Sequence, residues 1–285
     1  MTWEETIQYI RIQPDYNKLV EQAYFEEDLP LNVERFKNSD EYKETLKLIH
    51  QYAPTATSVL DIGSGNGISS IAFALEGYKV TVSEPDSSDT IGANAVRKLK
   101  DHYRLPNITI YEDYAENIIF RDNSFDVVYA RQVLHHANHL QNFVWQCSRV
   151  LKPGGILFTV RDHVIFNEDD KQWFLQSHPL QKFYGGENAF TSDEYKTAMT
   201  HAGLHVQKEL KFYDSVINYY PLTDEDLKRD KAQKASNLKM ELKKKTGILA
   251  NMPLALNLYK WKNRSSLLLD EKNIPGRMYS YIAKK

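Results

Sequence analysis

Three glycines at alternate positions, Gly63, Gly65 and Gly67, follow a short apolar strand and precede an apolar helix. In such a turn glycine lets the backbone approach a ligand and adopt dihedral angles that other residues avoid. The segment therefore predicts a strand–turn–helix unit that grips a nucleotide-like ligand. Dinucleotide-binding turns use Gly-x-Gly-x-x-Gly spacing, but the third position is Ile68 here and the acidic Asp61 ends the strand. Both features argue against a dinucleotide-binding turn.

From residue 58 onward, short apolar segments alternate with longer amphipathic ones, a pattern typical of βαβ units around a parallel sheet. The predicted strands are 58–62, 79–83, 107–111, 125–129, 155–161, 204–212 and 276–283. The predicted helices are 68–76, 87–103, 140–151 and one that begins after a Thr191 cap and ends near Gly203. The predicted fold is α/β, a doubly wound, mostly parallel seven-stranded sheet.

The remaining segments predict additions to this core. We expect an N-terminal helical cap at 1–50, the α/β core at 51–212, a helical insertion at 213–275 and the final strand at 276–285. The cap and the insertion are expected to close over the carboxyl edge of the sheet as a lid. Residues 162–190 have no clean period and are interpreted as an ordered functional loop, and Lys243–Lys245 as a solvated helix end.

Composition limits the partners and the compartment. A formal net charge of -2 provides no general attraction to nucleic acid or to anionic membrane. The single cysteine, Cys147, excludes an internal disulfide and is interpreted as a buried structural thiol. The N-terminus does not resemble a signal peptide and no apolar run is long enough to span a bilayer. We therefore expect a cytoplasmic protein with no nucleic-acid partner and no membrane insertion.

A second acidic residue, Glu84, directly follows the second predicted strand. A carboxylate at that point can accept hydrogen bonds from both hydroxyls of a ribose. An exposed acid at a strand end is the alternative, but the neighbouring glycine turn favours a nucleoside ligand.

Residues 58–161 resemble the core of the class I S-adenosylmethionine-dependent methyltransferases, in particular the small-molecule, type 11-like branch. The resemblance rests on the glycine turn, Glu84 and the segments 111–116, 123–128 and 149–155. It implies a Rossmann-like methyltransferase fold, an enzyme with S-adenosyl-L-methionine as cofactor, and S-adenosyl-L-homocysteine as product.

The resemblance also implies roles for individual residues. Asp61 and the turn backbone of Gly63, Ser64, Gly65 and Gly67 would hold the methionine part, and Glu84 the ribose. Adenine would be bound by Pro85, the Asp113 side chain and the backbone of Tyr114 or Ala115, while Arg131 would line the methionine side. Tyr114 could instead pack under the sheet.

Methyl transfer depends mainly on positioning, and a base is needed only if the acceptor must lose a proton. His163 is the leading candidate for that base, with His136, His135 and His178 as further candidates. Tyr184, Glu187 and Asn188 flank two glycines and are predicted to bind a polar acceptor. Asp162, His163, His178 and Glu187 could converge on a metal, but their spacing demands none, and we expect none.

The predicted function is methylation of a polar small molecule, most simply O-methylation of a sugar or nucleotide-sugar, since 162–190 resembles methyltransferases of surface-polysaccharide pathways. The alternatives are N- or C-methylation of another metabolite, a noncatalytic S-adenosylmethionine-binding protein, or an NAD-dependent oxidoreductase. Nucleic-acid methylation is disfavoured, because an Asn/Asp-Pro-Pro-Tyr/Phe segment is replaced by Ala130–Val133. The oligomeric state is left open.

Overall fold

The central sheet forms where the apolar segments predict strands. The computed structural model describes residues 1–246, 253–263 and 269–285. The strands are β1 (Ser58–Ile62), β2 (Lys79–Ser83), β3 (Ile108–Tyr111), β4 (Phe125–Arg131), β5 (Leu151–Ile165), β6 (Phe190–Thr191), β7 (His205–Leu210) and β8 (Met278–Lys284). Each predicted strand overlaps one of these, and β6 adds only a short pairing with the end of β5.

The strand order is β3-β2-β1-β4-β5-β8-β7. Strands β1 to β5 are parallel, and β8 runs antiparallel to both β5 and β7. The chain leaves β1 toward β2 and β3 and later returns to the other side of β1 with β4, so the winding direction reverses between β1 and β4. The prediction of a doubly wound, mostly parallel seven-stranded sheet is confirmed. Such a reversal leaves a crevice at the carboxyl ends of the strands.

Helices cover both faces of this sheet. They are α1 (Trp3–Arg11), α2 (Asn17–Gln22), α3 (Leu29–Asn38), α4 (Asp40–Tyr52), α5 (Ile68–Leu75), α6 (Ala93–Tyr103), α7 (Leu140–Val150), α8 (Glu168–Ser177), α9 (Ser192–His201), α10 (Val216–Tyr219), α11 (Asp224–Thr246) and α12 (Pro253–Lys262). The predicted Thr191 cap of α9 forms a capping box with Glu194. Among the described helices, none combines the length and apolarity needed to cross a bilayer.

The two faces of the sheet form separate hydrophobic cores, because side chains alternate between the faces along each strand. Phe36, Phe73 and Tyr129 lie in the core on the side of α3, α4 and α5. Phe143 and Tyr195 lie in the other, beneath α7 and α9. Cys147 is buried in α7, as the sequence analysis expected.

The segment 162–190 is more regular than the predicted loop. Strand β5 continues to Ile165, and α8 occupies Glu168–Ser177. The side chain of Asn167 accepts from the Asp170 backbone N–H and caps α8, and the fully buried Arg277 pairs with Asp170. The loop interpretation was therefore wrong for the first half of this segment.

The helix predicted to begin at residue 87 begins instead at Ala93. The Asp86 side chain accepts from the Ser88 backbone N–H and folds a local turn there. Gly92 closes the turn, since a Cβ at this position would lie 2.3 Å from the Asp86 carbonyl oxygen. The chain between β2 and α6 is consequently a loop that follows the crevice.

The segment 213–275 contains α10, α11 and α12, and α11 buries Leu227, Leu238 and Leu242. The predictions made for 247–252 and 264–268 lie outside the described residues. Lys243–Lys245 are exposed in the last turn of α11, as expected of a solvated helix end.

Gly67, which directly precedes α5, has a positive φ of 83°. A Cβ there would also lie 2.8 Å from Val96 Cγ2. We expect Gly67→Ala to lower the free energy of unfolding by roughly 2–4 kcal/mol through backbone strain and overpacking. Urea denaturation would measure this loss, with Gly77→Ala as the control. Gly77 also has a positive φ, 94°, but no atom lies within 4 Å of a Cβ placed there, so backbone strain alone should cost about 1–2 kcal/mol. Equal losses in the two variants would contradict the steric argument.

Candidate active site

A cavity of about 580 Å³ opens at the carboxyl ends of β1 and β4. The predicted site residues line it with three exceptions, Asp61, Gly67 and Asn188, which do not reach the cavity wall. The N-terminal cap contributes Trp3 and Phe25 to the wall, whereas no described residue of 213–275 lines it. Of the two segments predicted to form a lid, only the cap therefore contributes described residues to the cavity wall.

The glycine turn forms the floor of the cavity through Gly63, Ser64 and Gly65. Gly63 and Gly65 have positive φ angles of 61° and 55°. A Cβ at Gly63 would lie 2.6 Å from Val133 Cγ2, so only glycine fits between β1 and the chain after β4. The hydroxyl oxygen of Ser64 is buried and has no hydrogen-bond partner among the described residues.

Glu84 lies at the end of β2 with only 6% of its surface exposed, next to Pro85 in the cavity wall. Its Oε2 accepts from the Gly65 backbone N–H at 2.7 Å, and its Oε1 accepts from the Asp86 backbone N–H at 3.0 Å. Burial raises the pKa of Glu84 to about 7, although the two backbone donors favour its ionised form. The carboxylate thus links the glycine turn to the loop after β2.

Asp61 lies beneath the cavity wall, and not in it. Its Oδ2 accepts from the hydroxyls of Ser69, at 2.7 Å, and Ser70, at 2.5 Å, in the first turn of α5. Burial raises the pKa of Asp61 to about 6. Ser69 does line the cavity, so Asp61 positions a lining residue.

The loop after β3 places Asp113, Tyr114 and Ala115 in the cavity wall. Ser83 donates a hydrogen bond to the Asp113 carbonyl oxygen at 3.1 Å, while Asp113 Oδ2 is buried without a partner among the described residues. Tyr114 is 69% exposed. The alternative that Tyr114 packs under the sheet is therefore wrong.

Arg131, at the end of β4, is held by a residue that the sequence analysis missed. Its Nε lies 2.6 Å from Glu41 Oε1 and its Nη2 lies 3.1 Å from Glu41 Oε2. Glu41 belongs to α4 and is completely buried, and Arg161 lies 3.7 Å from the same carboxylate. Burial alone would raise the pKa of Glu41, but the positive charges of Arg131 and Arg161 outweigh burial and hold this pKa below its usual value. No local pattern distinguishes Glu41 from an ordinary acid in a first helical turn.

The four candidate histidines form one cluster in the cavity wall. The His135 ring lies 4.1 Å from the His136 ring and 4.7 Å from the His163 ring, which lies 5.4 Å from the His178 ring. Burial lowers the pKa of each, to about 3 for His163 and about 4 for His178. The rings are therefore neutral at pH 7, and His163 is a weak proton acceptor.

Hydrogen-bond acceptors fix the tautomers of His135, His163 and His136. His135 Nδ1 lies 3.0 Å from Asp162 Oδ1, His163 Nδ1 lies 2.6 Å from the Gly276 carbonyl oxygen, and His136 Nδ1 lies 3.2 Å from the Gly186 carbonyl oxygen. A carbonyl oxygen only accepts, so Nδ1 donates in His163 and His136. Asp162 Oδ1 also accepts from the His135 backbone N–H, which places it as the acceptor for His135 Nδ1. The Nε2 atoms therefore have free lone pairs.

Two of the three residues predicted to bind the acceptor lie in the cavity wall. Tyr184 and Glu187 line the cavity, and the Tyr184 ring lies 5.3 Å from the Trp3 ring of α1. Burial raises the pKa of Glu187 to about 7, and its Oε2 has no hydrogen-bond partner among the described residues. Asn188 is outside the wall, so a direct role in acceptor binding has no structural support.

The family comparison agrees with this geometry. Residues 60–159 match the family model described as a methyltransferase domain. The matched segment begins in β1, contains the glycine turn and Glu84, and ends within β5.

Two curated relatives match part of the chain. It is 30% identical over 136 residues to the phthiotriol/phenolphthiotriol dimycocerosates methyltransferase of Mycobacterium tuberculosis (strain ATCC 25177 / H37Ra), covering 46% of this chain and 48% of that protein. It is 29% identical over 157 residues to the ubiquinone biosynthesis O-methyltransferase of Klebsiella pneumoniae (strain 342), covering 54% and 55%. The chain thus spans about half the length of the curated relatives it matches.

A solved structure extends the likeness in fold. Geranyl diphosphate C-methyltransferase from Streptomyces coelicolor A3(2), in complex with Mg²⁺, geranyl diphosphate and S-adenosyl-L-homocysteine, aligns over 86% of this chain and 79% of its own, with a TM-score of 0.55 and 12% identity. That likeness concerns the fold alone. The family match and the fold together indicate a class I methyltransferase domain, a class in which S-adenosylmethionine is the methyl donor. The matched residues make up about a third of the chain.

Proposed function

We propose that this chain transfers a methyl group from S-adenosylmethionine to an oxygen of a polar small molecule. The observation that supports it best is a single cavity with two chemically different ends. One end presents the glycine turn with the carboxylates of Glu84 and Asp113, and the other presents neutral histidines with Glu187. A nucleoside cofactor and a hydroxylated acceptor can therefore meet in one cavity.

The residues of the donor end fit the cofactor. Each carboxylate oxygen of Glu84 keeps a lone pair for a ribose hydroxyl after accepting its backbone hydrogen bond. The unpartnered Asp113 Oδ2 can accept from the adenine amino group, with Pro85 and the backbone of Tyr114 or Ala115 beside the ring. Unpartnered buried polar atoms are uncommon in folded proteins, which favours a polar ligand here.

The methionine part is assigned to the glycine turn and Arg131. Glu41 and Gln132 accept three of the arginine N–H bonds, and the remaining N–H groups can bind a carboxylate. Asp61 lies behind the cavity wall and contributes by orienting Ser69, which lines the cavity. When bound, S-adenosylmethionine supplies an activated methyl group on a sulfonium sulfur, so alignment of the acceptor contributes most of the rate acceleration.

The acceptor end can orient a hydroxyl and remove its proton. The free Nε2 lone pairs of His136 and His163 are suited to accept a hydrogen bond from that hydroxyl. Burial lowers the pKa of His163 to about 3, so only its position supports His163 as the leading candidate for the base. The cap residues Trp3 and Phe25 cover part of this end.

For the acceptor we propose a sugar or nucleotide-sugar. The polar histidine and Glu187 groups can bind its hydroxyls, and the Trp3 and Tyr184 rings can stack on its C–H face. An acceptor screen that reads S-adenosylhomocysteine release tests this, with nucleotide sugars, a quinol and a long-chain lipid alcohol compared. If only the quinol or the lipid alcohol is methylated, the sugar proposal is wrong.

Two further outcomes of the screen separate the alternatives. A methyl carbon resonance typical of nitrogen- or carbon-bound methyl in the product would identify N- or C-methylation. S-adenosylhomocysteine binding without turnover of any acceptor would favour a noncatalytic binding protein, and NADH binding in its place would favour an oxidoreductase.

The affinity for S-adenosylhomocysteine should depend on pH through Glu84. Only the ionised carboxylate has all its lone pairs available to ribose hydroxyls, and burial, with Asp86 and Asp61 nearby, raises its pKa to about 7. The carboxyl is mostly protonated at pH 6 and mostly ionised at pH 8, so we expect Kd to be roughly tenfold larger at pH 6. Calorimetry would measure the change, and Glu84→Gln should remove it. A pH dependence retained in Glu84→Gln would assign it to another group.

A further inference from the structure

We propose that His135, His163 and Glu187 form a binding site for a divalent first-row transition metal ion, with His178 within reach as a fourth ligand. The spacing of these residues in the sequence predicts no metal site. The three residues come from different parts of the chain, namely the turn after β4, strand β5 and the loop before β6. Their convergence is visible only in the fold.

The candidate ligand atoms are close enough for one ion. One atom from each of His135, His163 and Glu187 lies within 4.8 Å of the others. Ligands at about 2.1 Å from a tetrahedral ion lie roughly 3.4 Å apart. Side-chain adjustments on the order of 1 Å would complete the shell. His178 Nδ1, buried and without a partner among the described residues, lies 3.5 Å from Glu187 Oε1.

The tautomers are those that metal ligation requires. His135 donates its Nδ1–H to Asp162, and His163 donates its Nδ1–H to the Gly276 carbonyl oxygen. Metal-binding histidines characteristically donate the other ring N–H to a carboxylate or backbone carbonyl, which orients the ring and makes the ligating nitrogen more basic. Both Nε2 lone pairs are thereby left for an ion.

When Glu187 is ionised, its contact with His135 is unfavourable without a cation. The His135 Nε2 lone pair faces Glu187 Oε2 at 3.8 Å, which is beyond hydrogen-bond range, and Oε2 has no other partner among the described residues. The Glu187 side chain is only 5% exposed. Two acceptor atoms facing each other in a buried site repel, and a bound cation turns that repulsion into attraction.

Two imidazoles and one carboxylate select the kind of ion. Imidazole suits zinc, iron, copper and nickel, while magnesium and calcium prefer shells of oxygen. A shell with three protein ligands also leaves coordination positions open, as in catalytic zinc sites. The ligands line the cavity, so these open positions face the acceptor end.

A role in catalysis follows if the proposed methyl transfer is correct, and with the ion bound His163 Nε2 is a metal ligand and no longer the proton acceptor. An acceptor hydroxyl oxygen bound at an open position releases its proton to solvent more readily because of the cation's charge. That oxygen then forms a bond to the methyl carbon, and the bond between the carbon and the sulfonium sulfur breaks. The metal site itself does not depend on this step.

The test is a titration of the full-length chain, freed of metal by a chelator, with Co²⁺ and detection by visible absorption. We expect one ion per chain with the d–d band of a four- or five-coordinate site, displaced by Zn²⁺ and unaffected by excess Mg²⁺. Glu187→Gln and His163→Ala should weaken binding at least tenfold. His205→Ala, which removes an exposed histidine of β7, should bind like the unmodified chain.

S-adenosylhomocysteine binding, measured for every variant, separates the possible failures. Absence of saturable Co²⁺ binding, equal affinity in Glu187→Gln, or displacement by Mg²⁺ would overturn the metal site. If His163→Ala loses S-adenosylhomocysteine binding through misfolding, the Co²⁺ affinity of the nearly isosteric Glu187→Gln variant becomes the test of the metal site. A chain that binds Co²⁺ but no S-adenosylhomocysteine would retain the metal site and refute the proposed methyl transfer.

Discussion

Glu84→Ala is expected to weaken S-adenosylhomocysteine binding about 100-fold while the protein stays folded. The variant removes the acceptor for two ribose hydroxyls, and a hydrogen bond to a charged group contributes about 1.5–3 kcal/mol. A combined loss of about 3 kcal/mol corresponds to roughly 100-fold in Kd. The variant also releases Gly65 N–H, which Glu84 accepts at 2.7 Å in the glycine turn. Calorimetry and thermal unfolding would measure the two effects separately.

Glu76→Ala is the matched control for this experiment. Glu76 is an exposed residue at the C-terminal end of α5, remote from the cavity wall. It should retain full affinity. Similar losses in both variants, or full affinity in Glu84→Ala, would show that the ribose is held elsewhere and would remove the main support for the donor end.

The donor end could be predicted from the sequence because its residues follow directly after strands. Glu84 follows β2, Asp113 follows β3, and the glycine turn follows β1, so strand prediction alone brings them to one edge of a parallel sheet. Asp61 shows the limit of this reasoning. It lies at the same edge, but its side chain bonds Ser69 and Ser70 behind the wall, and only side-chain packing decides that direction.

Helix α8 was missed although local signals for it were present. Asn167 at the cap and the acids at 168–170 in the first turn are typical of a helix start. The aromatic and histidine residues that follow obscured the helical period. The capping pattern was therefore more informative here than hydrophobic periodicity.

The histidine cluster illustrates what local patterns omit. Each histidine was singled out by its own position, but His135, His163 and Glu187 approach one another only because β4 and β5 are neighbours and the chain after α8 folds back over them. The tautomers depend on Gly276 and Gly186, which are distant in sequence. Sequence spacing contains none of this information, which is why the expectation of no metal had no geometric basis.

The second large effect is expected at Glu41, and it concerns the stability of the fold. Glu41→Ala leaves the guanidinium groups of Arg131 and Arg161 buried without their shared carboxylate. Removing one partner of a buried ion pair costs about 3–5 kcal/mol. We expect Tm to fall by on the order of 10 °C for a chain of this size. S-adenosylhomocysteine binding should weaken as well, because Arg131 lines the cavity and loses the contact that orients it.

The pH dependence of unfolding provides an independent check on Glu41. Its pKa in the folded chain lies below the unfolded value of 4.5, because Arg131 and Arg161 outweigh the opposing effect of burial. The stabilisation is therefore present above pH 4.5 and is lost as the pH falls through the folded pKa. Glu41→Ala should lose this acid-dependent part of its stability. Glu44→Ala, which removes a surface pair with Lys47 on the same helix, should cost less than about 1 kcal/mol and keep it. Equal destabilisation of the two variants would mean that α4 contributes through helix packing alone and that Arg131 needs no carboxylate to hold it at the cavity.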